Sequence, residues 1–153
     1  FNEPNLMEEE KESYRLAIVV LLSDYFKLYR IERDGKKYKL HVKEYAVSTT
    51  TSYREDSLVN SFTKEMSKNE WLNVTNSIKE NCYWTMPVDI KEDDGWLDGS
   101  GWTLEGVNQN NNCSNSDYHF IYRHSPYGTD DTSNFIKICE KFMELDSLNI
   151  KEF

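Results

Sequence analysis

The sequence predicts an α+β fold, in which a single antiparallel sheet of about six strands is covered on one face by two amphipathic helices. Three observations support this fold class. Six segments alternate or are rich in β-branched and aromatic residues, with mostly short links between them. A helix-capping motif opens another segment, and the last segment has the apolar spacing of a helix. The predicted order along the chain is β-β-β-β-α-β-β-α.

The first three predicted strands follow one another closely. Residues 14–22 are rich in Ile, Val and Leu, which favours a buried strand, although a helix over residues 7–22 is the alternative for so short an apolar run. Residues 26–33 and 37–46 flank Asp34-Gly35, a dipeptide typical of tight hairpin turns. Both flanks alternate between apolar and polar residues, so we expect them to pair with each other.

The fourth strand and the first helix are predicted to meet at Ser67. Residues 58–66 predict the strand, and Ser67 with Glu70 forms a capping box that opens a helix ending near Asn81. The residues expected to share one face of the strand are Leu58, Phe62 and Met66. Those expected on the buried stripe of the helix are Trp71, Val74 and Ile78.

Two more strands and a second helix complete the predicted fold. Residues 102–107 and 118–124 alternate and are joined by an Asn-rich loop. After a turn at Ser125-Pro126, residues 132–148 have the period of an amphipathic helix. Its apolar stripe contains Phe135, Ile138, Cys139, Phe142 and Leu145.

Length and charge limit what this protein can be. The 153 residues are predicted to form one α+β domain, residues 14–153, behind a polar lead-in or tether, residues 1–13. The net charge of -9 argues against nucleic-acid binding, because phosphate contacts need a basic surface. The same charge favours a basic protein partner. The longest apolar run, residues 16–22, is too short to span a bilayer.

The sequence predicts no metal site and no cofactor. The cysteines, Cys82, Cys113 and Cys139, lack the spacing of a structural zinc site. The acidic stretch before Gly99 fails the EF-hand pattern, since counting from Asp94 puts Trp96 at the third ligand position. An irregular calcium site of oxygen ligands and a solvated acidic loop are the alternatives left open for this stretch.

One predicted hairpin carries the side chains that could perform catalysis. If the Asn-rich loop closes symmetrically, Glu105 lies opposite or diagonal to His119 and Arg123. A Glu-His pair could serve in general acid-base catalysis, and an arginine could hold a carboxylate or phosphate. The alternative is a structural ion pair between Glu105 and Arg123, with His119 as a hydrogen-bonded neighbour.

The acidic stretch is also a candidate surface for a partner. Trp96 lies among acids in a Gly-flanked segment, and aromatic anchors surrounded by charge are typical of interface hot spots. The alternative is that Trp96 folds back into the core beside Trp84. The acids predicted to contact a partner together with Trp96 are Glu92, Asp93, Asp94 and Asp98.

The sequence resembles a recurrent group of small uncharacterised bacterial proteins. The matching residues are Asp98, Gly99, Trp102, Leu104, Glu105, Gly106, Tyr118, His119, Arg123, Ser125 and Pro126. The resemblance implies a bacterial origin and no particular activity, and members of the group often carry export signals. The start at Phe1 rather than Met fits either a removed upstream signal or an arbitrary boundary, so both a cytoplasmic and an exported location stay open.

These observations favour a non-enzymatic acidic binding protein, specifically an immunity or inhibitor-type protein that neutralises a basic partner. One alternative is an envelope-associated accessory domain with an unknown ligand. The other is a hydrolase or small-ligand site built on Glu105, His119 and Arg123.

Overall fold

Six antiparallel strands and two α-helices make up the protein in a computed structural model, which describes residues 3–20, 25–48, 55–89, 99–109, 117–127 and 132–146. The strands are β1 (Glu12–Val20), β2 (Tyr25–Asp34), β3 (Lys37–Ser48), β4 (Glu55–Met66), β5 (Ser100–Val107) and β6 (Tyr118–His124). The helices are α1 (Lys68–Glu80) and α2 (Ser133–Glu144). Two short 3-10 turns cover Leu6–Glu8 and Tyr83–Thr85. The predicted fold class and element order are confirmed.

The strand order in the sheet is β4-β3-β2-β1-β5-β6. The first four strands form a meander of neighbours, and β5 returns after α1 to pair with the other edge of β1. The first predicted strand is therefore a strand and not the alternative helix. Its central place explains its composition, since a strand with neighbours on both sides and covered faces favours β-branched residues. At the next turn, Gly35 has a φ of +60°, as the predicted Asp-Gly hairpin requires.

A β-bulge in β4 places Leu58 on a different face from the one predicted. Glu44 pairs with Asn60 and Tyr45 pairs with Leu58, so Val59 is an extra residue between two registered pairs. Beyond the bulge the side chains exchange faces, and Leu58 is exposed instead of sharing the core face with Phe62 and Met66.

The core lies between one face of the sheet and the two helices. The capping box at Ser67 is present, since its hydroxyl accepts from the Glu70 amide and the Glu70 carboxylate accepts from the Ser67 amide. The predicted stripe of α2 is buried, and burial raises the pKa of the Cys139 thiol. The largest fully buried side chains in the core include Tyr14, Leu16, Ile31, Leu40, Ile78, Tyr83, Leu104, Ile121, Phe135, Ile138 and Phe142.

The opposite face of the sheet, here called the second face, carries charged side chains and part of the N-terminal segment, residues 3–8. The sequence presents this segment as a polar tether, yet Leu6 is 1% exposed and the Glu3 side chain is 6% exposed. The difference arises because sheet formation brings Arg15 and Arg30 together beneath Glu3. A local sequence pattern does not reveal such a long-range pairing.

Neither helix within the described ranges has the length and apolar character needed to cross a membrane.

Candidate functional site

The three residues predicted to converge lie on two faces of the sheet. His119 pairs with Gly106 and Arg123 pairs with Trp102, so both side chains are on the helix-covered face. Glu105 pairs with Phe120 and is on the second face. The structure therefore does not bring Glu105 together with His119 and Arg123, and the predicted Glu105–Arg123 ion pair does not form.

Glu105 has a different cationic partner, on β1. Arg15 Nη2 donates to Glu105 Oε2 over 2.6 Å, and both side chains are largely buried. Glu105 therefore serves as a structural counter-ion to Arg15.

His119 holds a backbone segment rather than another ionisable side chain. Its Nε2 lies 3.0 Å from the Met86 carbonyl oxygen, and its ring meets the Tyr83 ring edge-on at 5.2 Å. The Tyr83 hydroxyl donates to the carbonyl of His119 over 2.6 Å. Burial lowers the pKa of His119, and the hydrogen bond with Met86 opposes that shift in part. The neutral imidazole that results suits donation to a carbonyl.

Arg123 holds the same segment two residues further on. Arg123 is 3% exposed, and its guanidinium donates to the carbonyl oxygens of Pro87 (2.9 Å) and Val88 (3.2 Å). The guanidinium also lies over the Phe135 ring at 5.7 Å. Arg123 therefore joins β6, α2 and the chain that leaves the second 3-10 turn.

Backbone and side-chain hydrogen bonds hold the two stems of the acidic loop, which comprises residues 90–98. On the incoming side, the Tyr122 amide donates to the Val88 carbonyl over 2.8 Å. On the outgoing side, the Ser125 amide donates to the Ser100 carbonyl over 2.7 Å, and the Ser125 hydroxyl accepts from the Ser100 amide. Gly99 is required there, because its φ is +124° and a Cβ would lie 2.1 Å from Ser125 Oγ.

The predicted contact residues of the loop lie outside the described residues. These are Glu92, Asp93, Asp94, Trp96 and Asp98. The structure shows the base of the loop, which consists of its two stems and the end of β6 that holds them.

Two exposed apolar side chains flank that base. Val88, at the incoming stem, is 51% exposed, and Tyr127, just after β6, is 58% exposed. The Tyr127 ring packs edge-on against Trp102 at 5.4 Å, which limits its rotation. Sequence reasoning missed both residues. Tyr127 could have been found from its place in the sequence, since it directly follows Ser125-Pro126. That turn brings Tyr127 beside the outgoing stem.

A cavity of about 520 Å³ opens beneath the incoming stem, between the second 3-10 turn and the start of α2. Its lining includes Cys82, Met86, Arg123 and Asn134. Cys82 follows the C-terminal end of α1 and is exposed. The Arg123 guanidinium at this cavity donates to the carbonyls of Pro87 and Val88, so it serves to hold the incoming stem.

Within the described ranges, no group of three or more His, Cys, Asp or Glu side chains is placed to hold a metal ion. No protein-family model matches this chain, and neither does any curated protein sequence.

Proposed function

We propose that this chain is a non-enzymatic binding protein of the immunity or inhibitor type, and that its acidic loop contacts a basic protein partner. The observation that carries the proposal is the fixation of both loop stems, the incoming one on Tyr122 and Arg123 of β6 and the outgoing one on Ser125, the residue after β6. Binding loops work best when a rigid scaffold holds their ends, because less conformational freedom is then lost on association. His119 and Arg123 contribute to that scaffold through the carbonyls of residues 86–88.

Charge supports a basic partner. Residues 89–98 contain five acids and one lysine. Several cations of the described part are engaged in ion pairs with described carboxylates of the protein. The cations in such pairs include Lys11, Arg15, Lys27, Arg30, Arg33, Lys43, Lys64 and Lys141. A concentrated negative region accelerates encounter with a basic protein and disfavours acidic ones.

The exposed side chains beside the stems suit a protein interface. Val88 and Tyr127 supply exposed apolar area beside the stems, and the sequence of the loop adds the aromatic residue Trp96. Interface hot spots combine aromatic anchors with a charged or polar surround. The enzyme alternative has less support, because Glu105 lies on the other side of the sheet from His119.

The experiment compares two variants with the same net charge. In the loop variant, Asp93, Asp94 and Asp98 are each changed to Asn. In the control, three exposed acids elsewhere are each changed to Gln, namely Glu10, Glu65 and Glu80. Each tagged protein is incubated with lysate and culture supernatant of the native organism, at low and high salt, and retained proteins are identified by mass spectrometry.

We expect one basic protein to be retained in stoichiometric amount by the natural chain and by the control variant. The loop variant should lose it, and added salt should weaken its retention. Retention of the same proteins by both variants, or of none by the natural chain, would count against the acidic loop as the binding surface. A Trp96→Ser variant then separates the contribution of the aromatic anchor from that of the charges.

A further inference from the structure

Three cations from three neighbouring strands converge on the second face. Arg15 of β1, Arg30 of β2 and Lys43 of β3, here called the cationic cluster, surround the carboxylate of Glu3. Arg30 Nε lies 3.0 Å from Glu3 Oε2, Lys43 Nζ lies 2.6 Å from Glu3 Oε1, and Arg15 Nη1 lies 4.0 Å from Oε2. All four side chains are at most 19% exposed.

The sheet register places like charges side by side, so the cationic cluster needs an anion to balance them. Arg15 and Arg30 are directly paired across β1 and β2, and like charges directly opposite one another destabilise a sheet. Glu105 of β5 binds Arg15, and Glu32 of β2 binds Arg30. Glu3 is the carboxylate that contacts all three cations. The strands thus form a preorganised receptor for one carboxylate.

The N-terminal segment fits this receptor as a short peptide would. Besides the Glu3 carboxylate, the Pro4 carbonyl accepts from Arg15 Nη1 over 3.0 Å. Leu6 is buried three residues after Glu3, and Met7, the next residue, is exposed. The contacts of the segment with the sheet are therefore a carboxylate, a carbonyl and one aliphatic side chain, all within four residues.

We propose that the second face is a docking site for an acidic peptide of a partner protein, and that residues 3–6 occupy this site in cis. The partner peptide places a carboxylate in the cationic cluster and an aliphatic side chain, three residues later, where Leu6 lies. The argument is charge complementarity, because Glu105 and Glu32 balance two of the three cations and the cluster without Glu3 keeps one positive charge that a carboxylate can match. The segment that occupies the site spans four residues, so a partner peptide that supplies the same carboxylate, carbonyl and aliphatic contacts could replace it in trans.

The test uses the full chain and a defined probe. The probe is a fluorescein-labelled peptide with the sequence of residues 1–10, whose binding is followed by fluorescence anisotropy. The released variant carries Glu3→Gln and Leu6→Ser, which remove both side-chain contacts of the segment. Far-UV circular dichroism and the urea midpoint establish that the variant is folded, and a chain with Glu3→Gln alone replaces it if it is not.

We expect the released variant to bind the probe at least about tenfold more tightly than the natural chain, because its cis competitor is weakened. A probe with Gln in place of Glu3 should bind about tenfold less tightly than one with Gln in place of Glu10, although the two have the same charge. Adding Lys43→Met to the released variant should remove the difference between the two probes.

Equal affinity of the two matched probes would overturn the proposal, since binding would then reflect general attraction of acids to a basic surface. The absence of any gain in a folded released variant over the natural chain would overturn it as well, because residues 3–6 would not be competing for the site.

Discussion

Replacement of Gly106 by alanine tests how tightly β5 packs against the aromatic core. A Cβ at Gly106 would lie 2.6 Å from Tyr14 Cδ1 and 2.9 Å from Cε1, with Tyr83 Oη at 3.0 Å. The Tyr14 ring is 2% exposed and lies among Trp71, Tyr83 and Trp84, with ring centroids 6.2–6.3 Å away. It therefore has little room to move aside.

The expected size of the effect follows from two opposing contributions. Forcing an extra methyl into a packed core costs about 1–3 kcal/mol. Replacing glycine by alanine within a strand restores about 0.5–1 kcal/mol by reducing the freedom of the unfolded chain. We expect Gly106→Ala to lower the free energy of unfolding by about 1–2 kcal/mol, measured by urea denaturation with an unchanged m-value.

The matched control is Gly101→Ala in the same strand. There the new Cβ would contact Tyr122 at 3.3 Å, and that ring is only partly buried on the edge strand β6, so it can give way. The control should change the free energy of unfolding by less than about 0.5 kcal/mol. If Gly106→Ala is as stable as the natural chain or more stable, the assigned packing of Tyr14 against β5 is refuted.

Three further substitutions test other parts of the structure. Trp102→Ala should lower the free energy of unfolding by about 3–5 kcal/mol, because it empties a large buried site, and an unchanged urea midpoint would contradict that burial. Lys27→Met should cost about 3–5 kcal/mol, since it leaves the carboxylates of Glu44 and Asp146 without this buried cation. The matched control Lys141→Met removes a partly exposed ion pair and should cost less than about 1 kcal/mol. The pKa of His119 is lowered in the folded state, so protonation favours unfolding. The stability contributed by the neutral ring is present above the unfolded pKa of about 6.5 and is lost as pH falls below it. His119→Gln should therefore reduce the loss of stability between pH 7.5 and 5.5, and an unchanged pH dependence would rule out this role.

The local elements could be predicted from the sequence because their signals are local. The capping box at Ser67, the Asp34-Gly35 turn and the period of α2 each depend on residues within a few positions of one another. The bounds of β6, residues 118–124, agree with the alternation of its side chains.

The separation of Glu105 from His119 and Arg123 could not be predicted from the sequence, because it depends on the register between β5 and β6. The pairing of Glu105 with Phe120 places Glu105 on one face and His119 on the other, and a shift of one residue would have reversed this. An Asn-rich loop of that length does not fix the register. The burial of Glu3 was hidden for a related reason, since its cationic neighbours come from three strands that meet only in the folded sheet.

The pairing of β5 with β1 has a consequence for how the molecule opens. The strands β1 to β4 join through successive neighbours, whereas β5 meets β1 only after the chain has passed through α1, as in the pairing of Ser13 with Val107. Contacts of such long sequence separation form late in folding and open early. Amide hydrogens of β5 and β6 should accordingly exchange with solvent sooner than those between β2 and β3. A partner bound at the acidic loop would slow that exchange across both strands, far beyond the residues that it contacts.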